Sequence, residues 1–318
     1  MIGLCAVLGL VAWSLRFVQD DADIVFRYAE HLSRGEGLVW NVGERVEGYS
    51  SFLYTVLLGG TQRLGLDPVT TSHALGLAAF VGSLLTTFQA ARLTFGSATH
   101  GLLTMALLGA NYTFYWLIPV AVLTVVLLPR LLREGRDALV ASVLLAALWI
   151  PYVARVGGDF MEFRFMVSLL PALMLLIVAT LRAVSTPRWF AHIVAIVLAG
   201  SASHAVGYGL EPSGLPPESR DDLLAHLTSP DQNWVGIGPA LREAAGDDRT
   251  LTIAVAPAGA IPDHSKLPSI DMLGLSDRWV ARNGDILGSW PGHQRVAPYS
   301  YLERRGVHLV IGTRCCAR

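Results

Sequence analysis

Between Arg92 and Arg130 the chain carries no Asp, Glu, Lys or Arg. A helix crossing the hydrocarbon core of a bilayer needs only about 20 apolar residues, so this one stretch is longer than a single span requires. Few soluble cores bury so long an uncharged segment. The rest of the composition agrees: of 318 residues, 53% are hydrophobic and only 15% charged, against about 25% charged in an ordinary soluble domain. The formal net charge of −1 offers no basic excess to neutralise a phosphate backbone, so nucleic acid is excluded as a partner. Cys5 lies in an apolar run and Cys315 and Cys316 are adjacent, which gives neither a disulfide framework nor metal-ligand spacing.

Polarity is unevenly distributed. Residues 1 to 204 hold 12 of the 25 acidic residues and the last 114 hold the other 13. The first region contains apolar runs at 2–18, 52–66, 73–91, 101–129, 138–154, 165–181 and 189–205, which predicts about seven spans. The run 52–66 is short and ends in Gln62 and Arg63, as in a tilted or interfacial segment. The run 101–129 is interrupted by Gly109, Asn111, Tyr112 and Thr113; it is read as one long broken helix rather than a re-entrant pair, on parity. With Met1 inside, seven spans place Arg130, Arg133 and Arg136 on the cytoplasmic side, as the positive-inside rule asks. The same parity puts residues 19–50, 155–164 and the C-terminal region outside. Residues 1–18 lack a basic n-region and a small-residue cleavage site, and are read as a retained signal anchor.

From about residue 206 Gly, Pro and charge return. The chain is therefore divided into a membrane region, 1–205, and a small extracytoplasmic α/β domain, 206–318. Within the latter, Ser219-Arg220-Asp221-Asp222 ahead of Leu223, Leu224 and Leu227 predicts a capped amphipathic helix. The β-branched run Thr250–Ala256, the short run Ser269–Met272 and Val307–Ile311 predict strands, with a helix over 298–305 before the last.

Two polar constellations stand at the expected outer surface. Directly after the first apolar run, Gln19-Asp20-Asp21-Ala22-Asp23 places three carboxylates at the membrane boundary. One reading is structural: Asp20 or Asp21 caps the helix that follows, with Asp23–Arg27 and Glu30–Arg34 as i,i+4 pairs. The other is chemical: one carboxylate is a general base that takes a proton from a sugar hydroxyl attacking an anomeric carbon. The leaving group is then a lipid phosphate, good enough to need no paired general acid. The second constellation, Arg155 to Arg164 with Gly157-Gly158-Asp159 inside it, offers arginines suited to holding a phosphate or to snorkelling at headgroups. Asp159 is equally an N-cap behind a Gly-Gly turn. The stretch Asn41 to Tyr54 reads as a loop returning to the bilayer. His73, His100, His192 and His204 have no second ligand at i+3 or i+4, so no metal site is expected.

These segments carry a resemblance. Asp20-Asp21-Ala22-Asp23 through Ala29, then Gly35-Glu36-Gly37-Leu38-Val39-Trp40-Asn41 and Gly43-Glu44-Arg45-Val46-Glu47-Gly48-Tyr49-Ser50, resemble the first periplasmic loop of the actinobacterial terminal β-(1→2)-arabinofuranosyltransferases, a GT-C family. Val156-Gly157-Gly158-Asp159-Phe160 with Arg164-Phe165, Pro257 to Pro262, Asp271 to Asp277 and Pro291-Gly292-His293 are similar to the same family in the same order. The resemblance implies a GT-C-like polytopic membrane enzyme of the plasma membrane. It implies transfer of arabinofuranose from a polyprenyl-phosphate donor, decaprenyl-phosphate arabinose, to a cell-envelope polysaccharide hydroxyl, with no further cofactor. It implies an aspartate of the Asp-Asp-Ala motif as base; adjacent helical residues cannot both face one substrate, and the position of Asp20 nearest the end of the first span favours Asp20 as base and Asp21 as its support over the reverse assignment. Arg27, Arg45, Glu47, Tyr49, Asp159 and Arg164 are then the residues facing substrate and phosphate. Two alternatives stand beside this. One is a shortened, catalytically inactive remnant or sugar-binding partner subunit. The other is a small-molecule transporter, against which stands the lack of charge deep in any confident span.

Overall fold

The computed structural model describes residues 1–110, 118–155, 164–186, 189–190, 192–200, 220–246, 248, 250–288 and 292–312. By packing, the chain divides into two compact units that are interleaved in sequence. The first comprises Met1–Arg16 and Leu75–Ser219, and the second Phe17–Ala74 and Arg220–Arg318. The expected linear boundary at 205/206 falls among residues outside those described.

The first unit is helical. It contains α1 (Ile2–Ser14), most of α4 (Pro68–Phe95), α5 (Ala98–Gly109), α6 (Ile118–Arg133), α7 (Asp137–Arg155), a 3-10 turn (Arg164–Leu169), α8 (Leu170–Val184) and α9 (192–200). Charge sits at helix ends where the backbone dipole favours it: Asp137 opens α7, and Arg133 and Arg155 close α6 and α7. Leu84, Phe88, Met105, Leu131, Leu139, Met174 and Val178 form the core, in which the hydroxyls of Thr124 and Thr180 satisfy each other at 2.8 Å.

Pro68–Phe95, Asp137–Arg155 and Phe165–Val184, of 28, 19 and 20 residues, are long and apolar enough to cross a membrane. Ile2–Ser14 and Ala98–Gly109 are apolar but shorter. Of the long broken helix expected over 101–129, residues 111–117 lie outside those described. α5 stops at Gly109 with Ala110 as its C-cap, and helix resumes at Ile118.

The second unit holds α2 (Asp20–Ser33), α3 (Phe52–Arg63), α10 (Arg220–Thr228), α11 (Trp234–Ala245), β1 (Ile253–Val255), α12 (Ala260–Ser265), β2 (Ser269–Asp271), α13 (Arg278–Asn283), β3 (Asp285–Ile286), β4 (Arg295–Val296), α14 (Tyr299–Arg304) and β5 (Leu309–Ile311). Three parallel strands lie in the order β2-β1-β5, with Ile253 opposite Ser269 and Leu309. β3 and β4 form a separate antiparallel pair. Parallel strands need crossovers, and α12 supplies the one between β1 and β2. The central strand β1 is buried throughout, which explains its β-branched, uncharged sequence. Ile24 and Tyr28 of α2, Trp40 of the following loop, and Ile253, Val255, Ile261 and Leu267 make one core. Segments from both ends of the sequence thus fold as one layer system.

Two local expectations are corrected here. Gln19, not Asp20 or Asp21, is the N-cap of α2, so Asp20, Asp21 and Asp23 all lie in the first turn. The Glu30–Arg34 pair forms, but Asp23 and Arg27 do not pair. Instead the Arg27 side chain runs inward to backbone carbonyls.

Candidate functional site

α2 presents its acidic first turn to the loop between β1 and α12. The Asp20 carboxylate accepts from the Gly259 backbone N–H at 3.0 Å and from the Ala260 N–H at 2.7 Å, one through each oxygen. Only glycine allows this approach, because a Cβ on residue 259 would overlap the Asp20 carbonyl oxygen. Burial pushes the Asp20 carboxyl up to about 6, against the lowering effect of the Ala260 N–H, with Asp21 adding to the rise. Asp21, the next residue, is half-buried.

Two turns further along α2, Arg27 is 3% exposed. Its Nε donates to the Trp40 carbonyl at 2.9 Å, and Nη1 donates to the Pro262 carbonyl. Nη2 donates to the Leu267 carbonyl at 2.8 Å and to Asn41 Oδ1 at 3.3 Å. The guanidinium also lies over the Trp40 ring, 4.7 Å from its centroid. Burial lowers its pKa to about 10, so it stays charged at neutral pH. Asn41 extends the clamp, donating to the Ser269 carbonyl at 2.8 Å and accepting from the Ser269 N–H at 3.1 Å. An amide side chain here does what a neighbouring strand would do.

The loop after Asn41 is anchored in the same way. Tyr28 Oη donates to the Val46 carbonyl at 2.9 Å and accepts from the Gly48 N–H at 3.0 Å. A Cβ on Gly48 would strike Ser276 and the Tyr28 hydroxyl. The Ser276 loop is itself built on Asp271, fully buried, which accepts from the N–H groups of Leu273, Gly274 and Ser276 at 2.9, 3.1 and 2.6 Å. Burial outweighs these bonds and raises its carboxyl to about 6. Gly274 has φ +80°, a turn conformation that strains any other residue.

Of the residues singled out in the sequence, Asp20, Asp21, Arg27 and Tyr49 therefore fall in one cluster. Tyr49 stacks edge-on against Tyr28, with centroids 5.0 Å apart. Arg45 and Glu47 are exposed on the same loop. Asp159 lies outside the described residues, as does the side chain of Arg164. Sequence reasoning passed over Asp263, His264 and Lys266. Lys266 Nζ bridges Glu30 Oε2 at 2.6 Å and Asp263 Oδ1 at 2.9 Å, and the sequence does flag it as the chain's sole lysine. Asp23 faces this group and is 4% exposed. Burial raises its carboxyl to about 8, helped by the charges of Asp263 and Asp20 and opposed by Lys266. A cleft of about 500 Å³ opens on the Lys266 side, lined by Glu30, Arg34, Gln62, Asp67, Asp263 and Lys266 among others. Asp20 does not line it.

Residues 226–314 match a family described as a domain of unknown function (DUF8728). The chain is similar to the terminal β-(1→2)-arabinofuranosyltransferase of Mycobacterium tuberculosis, 34% identical over 90 residues. That alignment covers 26% of this chain and 14% of the relative, which makes the relationship distant. No solved structure matches. Three apolar segments of spanning length and a glycosyltransferase relative together point to a membrane protein.

Proposed function

We propose that this chain is a membrane glycosyltransferase of the GT-C type. It moves arabinofuranose from a polyprenyl-phosphate donor, decaprenyl-phosphate arabinose, to a cell-envelope glycan, with its α/β region on the extracytoplasmic side and about seven spans in the plasma membrane. The acceptor hydroxyl oxygen attacks the anomeric carbon as the bond from that carbon to the phosphate oxygen breaks. The lipid phosphate leaves with the electron pair, and a carboxylate takes the hydroxyl proton.

Asp21 is that base in our reading. The observation that carries this choice is the docking of Asp20: both of its oxygens already accept backbone N–H groups of the Gly259–Ala260 turn, which suits it to hold α2 in place. Adjacent residues on a helix point in different directions, so the two carboxylates divide the tasks. Arg27 is committed to carbonyls of its own fold, and the phosphate-holding role passes to Arg45 and Arg164, with Glu47, Tyr49 and Asp159 toward the sugar. The name of the distant relative supports the reaction class. A second reading, a sugar-binding partner without chemistry, draws on the confinement of that similarity to 90 residues.

The test is transfer of radiolabelled arabinose from decaprenyl-phosphate arabinose to an arabinan oligosaccharide by the purified chain in proteoliposomes. Transfer that is abolished in Asp21→Asn supports the enzyme. A well-folded, membrane-inserted chain that binds the oligosaccharide but transfers nothing establishes the second reading instead.

A further inference from the structure

The cluster beside the docking loop holds a set of donors that the transfer chemistry does not use. One ligand atom each from Asp23, Asp263 and His264 lie within 4.8 Å of one another, and both carboxylates are buried. Three donors around a first-row divalent ion, at about 2.0 to 2.2 Å from it, stand roughly 3 to 4 Å apart. The arrangement thus needs only small side-chain rotations to close.

A second observation sets this group apart from an ordinary acidic cluster. Lys266 occupies Asp263 Oδ1 and Glu30, and Arg34 takes the other oxygen of Glu30. Asp23, though 4% exposed, has neither a hydrogen bond nor an ion pair among the described residues. A buried carboxylate normally has such a partner, and this one has an oxygen within 4.8 Å of a ligand atom of Asp263 and of His264. The histidine is held in place by close packing of α11 on α12, where a Cβ on Gly238 would collide with the His264 Cβ and lie 3.1 Å from the Ile261 carbonyl.

We propose that Asp23, Asp263 and His264 form a binding site for a divalent first-row transition ion. Two carboxylate oxygens and one imidazole nitrogen suit Zn²⁺, Mn²⁺ or Co²⁺ better than Ca²⁺ or Mg²⁺, which prefer all-oxygen shells. The ion joins α2, through Asp23, to α12, through Asp263 and His264, so its role is to fix the spacing of these two helices. The ammonium of Lys266 sits against one of the ligands and opposes the ion, which keeps affinity moderate.

The proposal is independent of sugar transfer and is tested without it. Untagged protein in detergent, stripped with EDTA, is titrated with Co²⁺ and followed by visible absorbance. One saturable site is expected, displaced by Zn²⁺, with affinity falling at least about tenfold in Asp23→Asn and in His264→Gln and rising in Lys266→Met. Asp23→Asn replaces a buried carboxyl with a neutral group of the same shape and is expected to fold, and circular dichroism checks this. Absence of saturable Co²⁺ binding up to millimolar concentration overturns the site. So does binding that is unchanged in both ligand variants, which would place the ion on other histidines.

Discussion

The two units are held together by different physics. In the helical unit, cohesion comes from apolar side chains such as Leu84, Phe88, Met105 and Val178, whose contacts are non-directional and tolerate adjustment. In the unit built from Phe17–Ala74 and Arg220–Arg318, the elements are tied by buried side chains bonded to backbone groups far away in sequence. Arg27 reaches Pro262 and Leu267, Asp20 reaches Gly259 and Ala260, and Asn41 reaches Ser269. Directional bonds of this kind specify one geometry and leave costly unpaired groups when broken. A chain with few charges has placed many of them where position matters most.

The sharpest way to break this contrast is Arg27→Met. It strips three backbone carbonyls of their buried donor, and a loss of about 3 to 5 kcal/mol is expected, measured by denaturant unfolding with Trp40 fluorescence as the local probe. Gly259→Ala should follow at about 1 to 3 kcal/mol, because the added methyl must push the Asp20 carbonyl away. A cost within measurement error would mean that the dock does not hold α2.

The dependence on pH sharpens the contrast further. The Asp20 and Asp271 carboxyls are raised to about 6 in the folded chain, so between the unfolded carboxylate value and about 6 the native state binds more protons than the unfolded one. Their contribution to stability is complete below about pH 4 and is lost as pH rises through about 6. Thermal unfolding of the Trp40 environment should therefore shift downward between pH 5 and pH 7. An upward shift would contradict the burial of these groups. The smallest effect is expected in the helical unit, where the double change Thr124→Val and Thr180→Val removes both partners of one bond and should stay within about 1 kcal/mol.

How much of this was legible in the sequence depends on how local the signal is. The β-branched run at Thr250–Ala256 and the run Val307–Ile311 contain β1 and β5, and α14 falls inside the expected 298–305, because a strand or short helix writes its period into its own residues. α11 was missed. It carries Pro239 and two glycines in its interior, which lowers its helix propensity, although Asn233 caps it by accepting from the Gly236 N–H. The fate of Arg27 was also hidden. Its spacing from Asp23 suggested a surface pair, whereas two of its partners, the Pro262 and Leu267 carbonyls, lie well over 200 residues away. The candidate site was legible as a set of motifs at both ends of the chain. That Asp20 meets Gly259, and that Tyr28 and Gly48 meet the Ser276 loop, follows only from the fold.

The division of labour between the two first-turn carboxylates is the centre of this account, and a paired measurement of transfer rate and unfolding in Asp20→Asn and Asp21→Asn tests it most directly. Asp21→Asn should lose about 10²- to 10⁴-fold in rate while lowering the unfolding midpoint less than Asp20→Asn does. Asp20→Asn should lower the midpoint by about 1 to 3 kcal/mol of stability and lose rate only as far as α2 loosens. An Asp21→Asn protein with full activity, beside an Asp20→Asn protein that is stable and inactive, would contradict the account.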